Sequence, residues 1–248
     1  MLKIPLYAGL LVLALACAPT KSITAELQPT TLQAVNLEET LSRRDELMLA
    51  YSLTSYDAAN RATAVVNGGW GVEVVRKGQQ LNLPTLANPA LPIQLPVPPN
   101  GRVVASLVLI EVDDYNRAQK LLEQVRRIHN IVAGPASFLL TATEVLTPLR
   151  YIAAGLVASG LGMTLMDHLD DDDLLGQSSV DLREADLRQN RQGYVRVPVV
   201  FSGQNLRDAF DYRLSYDIRL IKGRPKKNQP APTRLTVSPA VAAPPANK

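Results

Sequence analysis

Two short runs of aspartate carry the most pointed chemistry in this chain. Asp113 and Asp114 close the apolar stretch Leu109-Ile110-Glu111-Val112, and Asp170, Asp171, Asp172 and Asp173 precede Leu174-Leu175-Gly176. Carboxylates held close together repel and raise one another's pKa unless a cation lies between them. A hard, oxygen-rich site of this kind suits calcium, which takes about 6–8 oxygen ligands. Consecutive aspartates cannot all face one ion, so the candidate metal ligands are Asp113, Asp114, Asp170, Asp172 and Asp173. The alternative is a solvated acidic loop. The two runs meet only if the chain between them returns to its starting point.

Signatures of catalysis are sparse. The histidines are His129 and His168, and His168 stands beside the second aspartate run. That pairing leaves open an exported metal-dependent hydrolase as the alternative function. The chain has no Gly-rich phosphate loop, no Gly-x-Ser-x-Gly and no His-Glu-x-x-His. The expectation is therefore a binding protein, not an enzyme.

Cys17 is the single cysteine among 248 residues. It follows Met-Leu-Lys and an apolar run from Ile4 to Ala16, the parts of a secretory signal, with a small residue before the cut. The run is too short for a membrane span, which takes about 20 apolar residues. An exported chain with one cysteine cannot form an internal disulfide, so the thiol needs another use. Leu13-Ala14-Leu15-Ala16-Cys17 resembles the lipobox of bacterial lipoproteins. The resemblance implies a diacylglycerol on the Cys17 sulfur, cleavage before it and acylation of the new amino group. It places the protein in the bacterial cell envelope, anchored to a membrane and facing the periplasm or the exterior. Two or more acyl chains anchor firmly where one does not.

The ends read as tails. After the signal at 1–16, residues 17–40 are rich in Thr, Ser, Gln and Pro and are expected to form a lipidated, flexible tether. Residues 222–248 hold six Lys or Arg, six Pro and no acid, and are expected to be disordered. Without Lys3 and those six tail residues the chain has 19 basic and 23 acidic groups. A basic tail on an acidic body points to anionic lipid, an envelope partner or the body's own acids. Nucleic acid is not an expected partner of an exported protein.

Residues 41–221 read mainly as strands. Asp45 to Leu53, Gly71 to Val75, Leu91 to Leu95, Tyr194 to Phe201 and Phe210 to Ile221 are candidates. Arg102 to Val112 is nearly continuously apolar, as a strand covered on both faces would be. In the last candidate Tyr212, Leu214, Tyr216, Ile218 and Leu220 recur at period two. Pro98-Pro99-Asn100-Gly101 marks a turn, and Ser202-Gly203-Gln204-Asn205 reads as the start of a connection. Asn67-Gly68-Gly69-Trp70-Gly71 reads as a turn whose tryptophan is a binding tip or folds onto the core. The expected fold is an antiparallel β-sandwich with a helical insertion at about 116–169. In that insertion Ala118, Leu121, Leu122, Val125, Ile128, Ile131 and Val132 share one helical face. Further helices are expected at 137–147 and 151–166.

The segments flanking the insertion, with Gly101-Arg102-Val103-Val104-Ala105-Ser106-Leu107 before them, resemble the C-two domains, calcium- and phospholipid-binding sandwiches. In that family an apolar strand ends in aspartates, a loop follows, and an Asp-apolar-apolar-Gly step enters the next strand. The resemblance implies calcium at the aspartates and a loop end that faces the membrane, with the insertion there as a contact element. Asp57, in Ser55-Tyr56-Asp57, is the acid nearest the place of the family's first calcium loop.

Overall fold

A computed structural model describes residues 23–38, 43–113, 115–126, 131–132, 151–152, 174–190, 192–205 and 208–222. The chain is mainly β, with two antiparallel sheets stacked in a sandwich-like arrangement. Strands run over Ile23–Asn36 (β1), Arg44–Tyr56 (β2), Ala62–Arg76 (β3), Gln80–Asn82 (β4), Ile93–Val97 (β5), Arg102–Glu111 (β6), Ile131–Val132 (β7), Leu174–Arg183 (β8), Tyr194–Asn205 (β9) and Asp208–Lys222 (β10). Helices cover Tyr115–Arg126 (α1) and Glu184–Gln189 (α2). The first sheet has the order β4-β1-β10-β9, with β5 also paired to β1; the second is β7-β3-β2-β6-β8.

One apolar core lies between the sheets. Ala25, Leu27 and Leu32 of β1 and Tyr212, Leu214, Tyr216 and Ile218 of β10 meet Leu49, Tyr51 and Leu53 of β2 and Leu107 and Leu109 of β6. The alternation read in the last strand is the inward face of β10. Residues 23–36, expected to belong to a tether, instead form a paired inner strand, and Ala25 and Leu27 are fully buried. Its apolar positions change phase at a bulge between Pro29 and Thr31, so no single alternation runs through it.

A second core covers the outer face of the second sheet. Met48, Ala50, Val72, Val108 and Ile110 are buried under Ala118, Leu122 and Val125 of α1 together with Ile152. This is why β6 is apolar on both faces. The first helix of the insertion, expected as a contact element, thus closes a core of its own. Ile131 and Val132, expected to continue the helix, leave it and pair with Val65 and Ala64 of β3. The helices expected at 137–147 and 151–166 lie outside the described residues, except for Tyr151 and Ile152.

Two further corrections concern loops. Ser202 to Asn205 extend β9 and pair with Asp208 to Asp211. Asn67 to Gly71 lie within β3, and Trp70 is fully buried with its indole N–H donated to the Asn88 carbonyl at 3.0 Å. The glycines there serve close packing. A Cβ on Gly68 would stand 2.3 Å from the Tyr51 ring, and one on Gly69 would stand 2.5 Å from Leu122.

Candidate functional site

The register of β6 against β8 frames the acidic region. Ile110 pairs with Leu174, so β6 leaves the second sheet and β8 enters it on neighbouring strands at one end, with β7 pairing to β3 between them in sequence. The exit is pinned by the Val112 N–H, which donates to the Glu46 carbonyl at 2.8 Å. Asp113 follows at once and is exposed. Asp114, Asp170, Asp171, Asp172 and Asp173 lie outside the described residues, as do Cys17, His129 and His168. Among the described residues, no group of three or more His, Cys, Asp or Glu side chains is placed to hold a metal ion.

Asp57 is far from Asp113. Tyr56 pairs with Arg102 and Leu47 with Glu111, so Asp57 follows one end of β2 while Asp113 follows the far end of β6. Ten residues of β6 at about 3.3 Å each separate those ends by roughly 30 Å. The Asp57 carboxylate organises its own turn. It accepts from the backbone N–H groups of Ala59 and Arg61, both at 2.9 Å, and from the Arg61 guanidinium at 2.8 Å. The Arg61 backbone bond, then its side chain, holds this carboxyl below the usual range.

At the acidic end a buried contact ties the two sheets. Tyr212 of β10 donates to the Asp45 carboxylate, which also accepts the Glu38 backbone N–H at 2.8 Å. Asp45 and Tyr212 are fully buried. Burial first, then the neighbouring Asp45, pushes the Tyr212 phenol far above its ordinary value.

A second grouping crosses the outer face of the second sheet. Asn67, Ser52 and Ser106 are consecutive cross-strand partners on β3, β2 and β6, and Thr54 lies two residues along β2 on the same face. The hydroxyls of Ser52, Thr54 and Ser106 and the side-chain oxygen of Asn67 are buried with no hydrogen-bond partner among the described residues. The Asn67 amide N–H reaches the Ile152 carbonyl at 2.8 Å. Tyr56 continues this face. Its phenol is pushed up by burial and then by the adjacent Tyr151, and the Arg102 guanidinium stacks 4.1 Å above its ring. This row was not singled out from the sequence. Its signal was there: polar residues two apart in strands otherwise apolar on both faces.

No protein-family model, no curated protein and no solved structure matches the chain. Among the described residues no helix is long and apolar enough to cross a membrane.

Proposed function

We propose that this chain is a lipid-anchored protein of the bacterial cell envelope whose sandwich serves as a binding module rather than as a catalyst. The anchor is Cys17, in the lipobox-like Leu13-Ala14-Leu15-Ala16-Cys17. The binding region is the end of the second sheet where the aspartates flank the insertion, with calcium as the cation that their chemistry suits. One observation carries this part: Ile110 is the cross-strand partner of Leu174. In sequence Asp113 follows β6 and Asp173 directly precedes β8, which supports reading the two runs as neighbours. The C-two resemblance, in which aspartates follow one strand and precede the next, accords with that pairing.

Two measurements test the proposal. Mass spectrometry of detergent-extracted protein should find an acylated Cys17 at the mature N-terminus, and Cys17→Ser should move the protein to the soluble export fraction. Calcium should stabilise the fold by mass action, by about 2.7 kcal/mol at a hundredfold excess over its dissociation constant. Asp113→Asn with Asp173→Asn should abolish that gain. An unacylated, soluble wild type overturns the anchor, and an unchanged melting temperature in millimolar calcium overturns the cation site.

A further inference from the structure

Ile23, the first residue of β1, pairs with Lys222, the last of β10, so the sandwich has both ends of its described chain at one end. The loops at 57–61 and 98–101 and residues 184–190 lie at this same end, because Val97 pairs with Ile23 and Arg102 with both Tyr56 and Arg183. The end where β6 runs into Asp113 is opposite.

We infer that the Ile23–Lys222 end is the membrane-facing end of the protein and presents an arginine-rich rim to anionic lipid headgroups. The inference rests on the lipid anchor at Cys17 and adds to it an orientation and a lipid class. Chain length gives the first argument. Cys17 stands six residues before Ile23, and six residues reach at most about 21 Å even when fully extended. The two ends of the sandwich are roughly 30 Å apart along the strands. An acyl group on Cys17 therefore holds the Ile23 end close to the bilayer.

The disposition of charge gives the second argument, independently of the anchor. Towards this end several ion pairs hold their carboxylates inward and their guanidiniums outward, whereas Arg102–Asp181 is reversed, with Arg102 at 22% and Asp181 at 51%. Five residues along β10 from Lys222, the Asp217 side chain is 3% exposed beneath Arg196 at 58% and Arg219, nearer the end, at 51%. Asp57 is 22% exposed beside Arg61 at 80%. Glu184 is withdrawn beneath Arg188 in the same way. Arg61, Arg188 and Arg219 are thus more exposed than the acids they pair with, and the acids showing among these groups are Asp181 and Asp186, with Glu26 half-buried beside Arg219. Lys222 then leads into the sequence that holds Arg224, Lys226 and Lys227 without an acid. Basic groups near an anionic leaflet are attracted to it, and the effect fades within a Debye length of about 8–10 Å. The opposite end, where Asp113 follows β6, lies beyond that range. This orientation reverses the one expected from the C-two resemblance, which put the aspartate loops against the membrane.

The test uses the full-length acylated protein in vesicles of phosphatidylglycerol and phosphatidylethanolamine carrying a headgroup quencher. Ala59→Cys and Lys77→Cys, exposed positions at the two ends, each carry a thiol-reactive fluorophore. The thioether-linked Cys17 does not react. The label at 59 should be quenched several-fold more than the label at 77. Replacing phosphatidylglycerol with phosphatidylcholine should reduce the quenching at 59. Equal quenching of the two labels in an acylated protein overturns the orientation. Quenching at 59 that ignores lipid charge overturns the role of the arginines. A protein without the acyl mass removes the anchor reading, and the orientation with it.

Discussion

The phenolic hydroxyl of Tyr212 donates a hydrogen bond to the carboxylate of Asp45, and this joins the start of β2 to β10 across the interior of the fold. Hydrogen bonds to charged groups contribute about 1.5–3 kcal/mol, and a buried carboxylate deprived of a donor is costly. Tyr212→Phe should therefore destabilise the protein by about 1.5–3 kcal/mol in urea unfolding with an unchanged m-value. A loss under about 0.5 kcal/mol would show that water replaces the phenol.

Tyr56, Tyr212 and Tyr216 are all fully buried, and burial raises the pKa of each phenol above 10. For Tyr216 the Ser178 hydroxyl works against burial. A group whose folded-state pKa is raised contributes stability below its unfolded pKa and loses it as pH rises towards the folded value. Stability should hold up to about pH 10 and then fall, by roughly 1.4 kcal/mol per pH unit for each tyrosine that stays neutral in the folded state. Equilibrium unfolding between pH 8 and 11.5, with Tyr216→Phe as the comparison, reads the slope. A flat profile would mean that the phenols ionise in place.

Ser52 and Ser106 offer a contrast with Thr30. Their hydroxyls are buried without partners among the described residues, whereas Thr30 donates to the Ser215 carbonyl at 2.8 Å. Replacing an unsatisfied buried polar group with an apolar one is close to neutral or stabilising. Ser52→Ala and Ser106→Ala should leave the melting temperature unchanged or higher, while Thr30→Val loses about 1 kcal/mol. Losses from the serines matching that from Thr30 would show that the row is satisfied in solution.

Leu122 is buried between α1 and the outer face of the second sheet. Leu122→Ala should cost about 2–5 kcal/mol, as expected for a core leucine. Replacing 116–169 with a short Gly/Ser linker should expose Met48, Val72, Val108 and Ile110 and lower the midpoint of chemical unfolding. A deletion variant as stable as the parent would return the insertion to an accessory role.

Gly68 faces the Tyr51 ring and Ile93 so closely that a Cβ has no room. Gly68→Ala should destabilise by about 1–3 kcal/mol through overpacking. Gly78, with nothing within 4 Å of its ideal Cβ but a φ of +78°, should be sensitive only through backbone strain.

Several strands were legible because burial writes directly into residue type. β6 is covered on both faces and reads as continuously apolar; β10 faces one core and reads at period two. β1 was not legible. Its Thr, Gln and Pro content resembles a linker, and the bulge at Pro29–Thr31 shifts the phase of its apolar positions. Trp70 was placed on a turn because three glycines surround it. Two of those glycines answer to neighbours distant in sequence or on another element, Tyr51 and Leu122, which local composition does not reveal.

The sequence by itself determined the β-rich class, the strand β6, the turn at 98–101, the amphipathic start of the insertion and the lipobox-like segment at Cys17. Each of these depends on residues close together in the chain. Tertiary structure alone decided that Asp57 and Asp113 lie at opposite ends, that α1 closes a second core, and that Ile23 and Lys222 share one end. Those are facts of strand order and register. They arise when residues far apart in sequence bury one another's apolar faces and pair one another's backbone groups, and no local pattern encodes that choice.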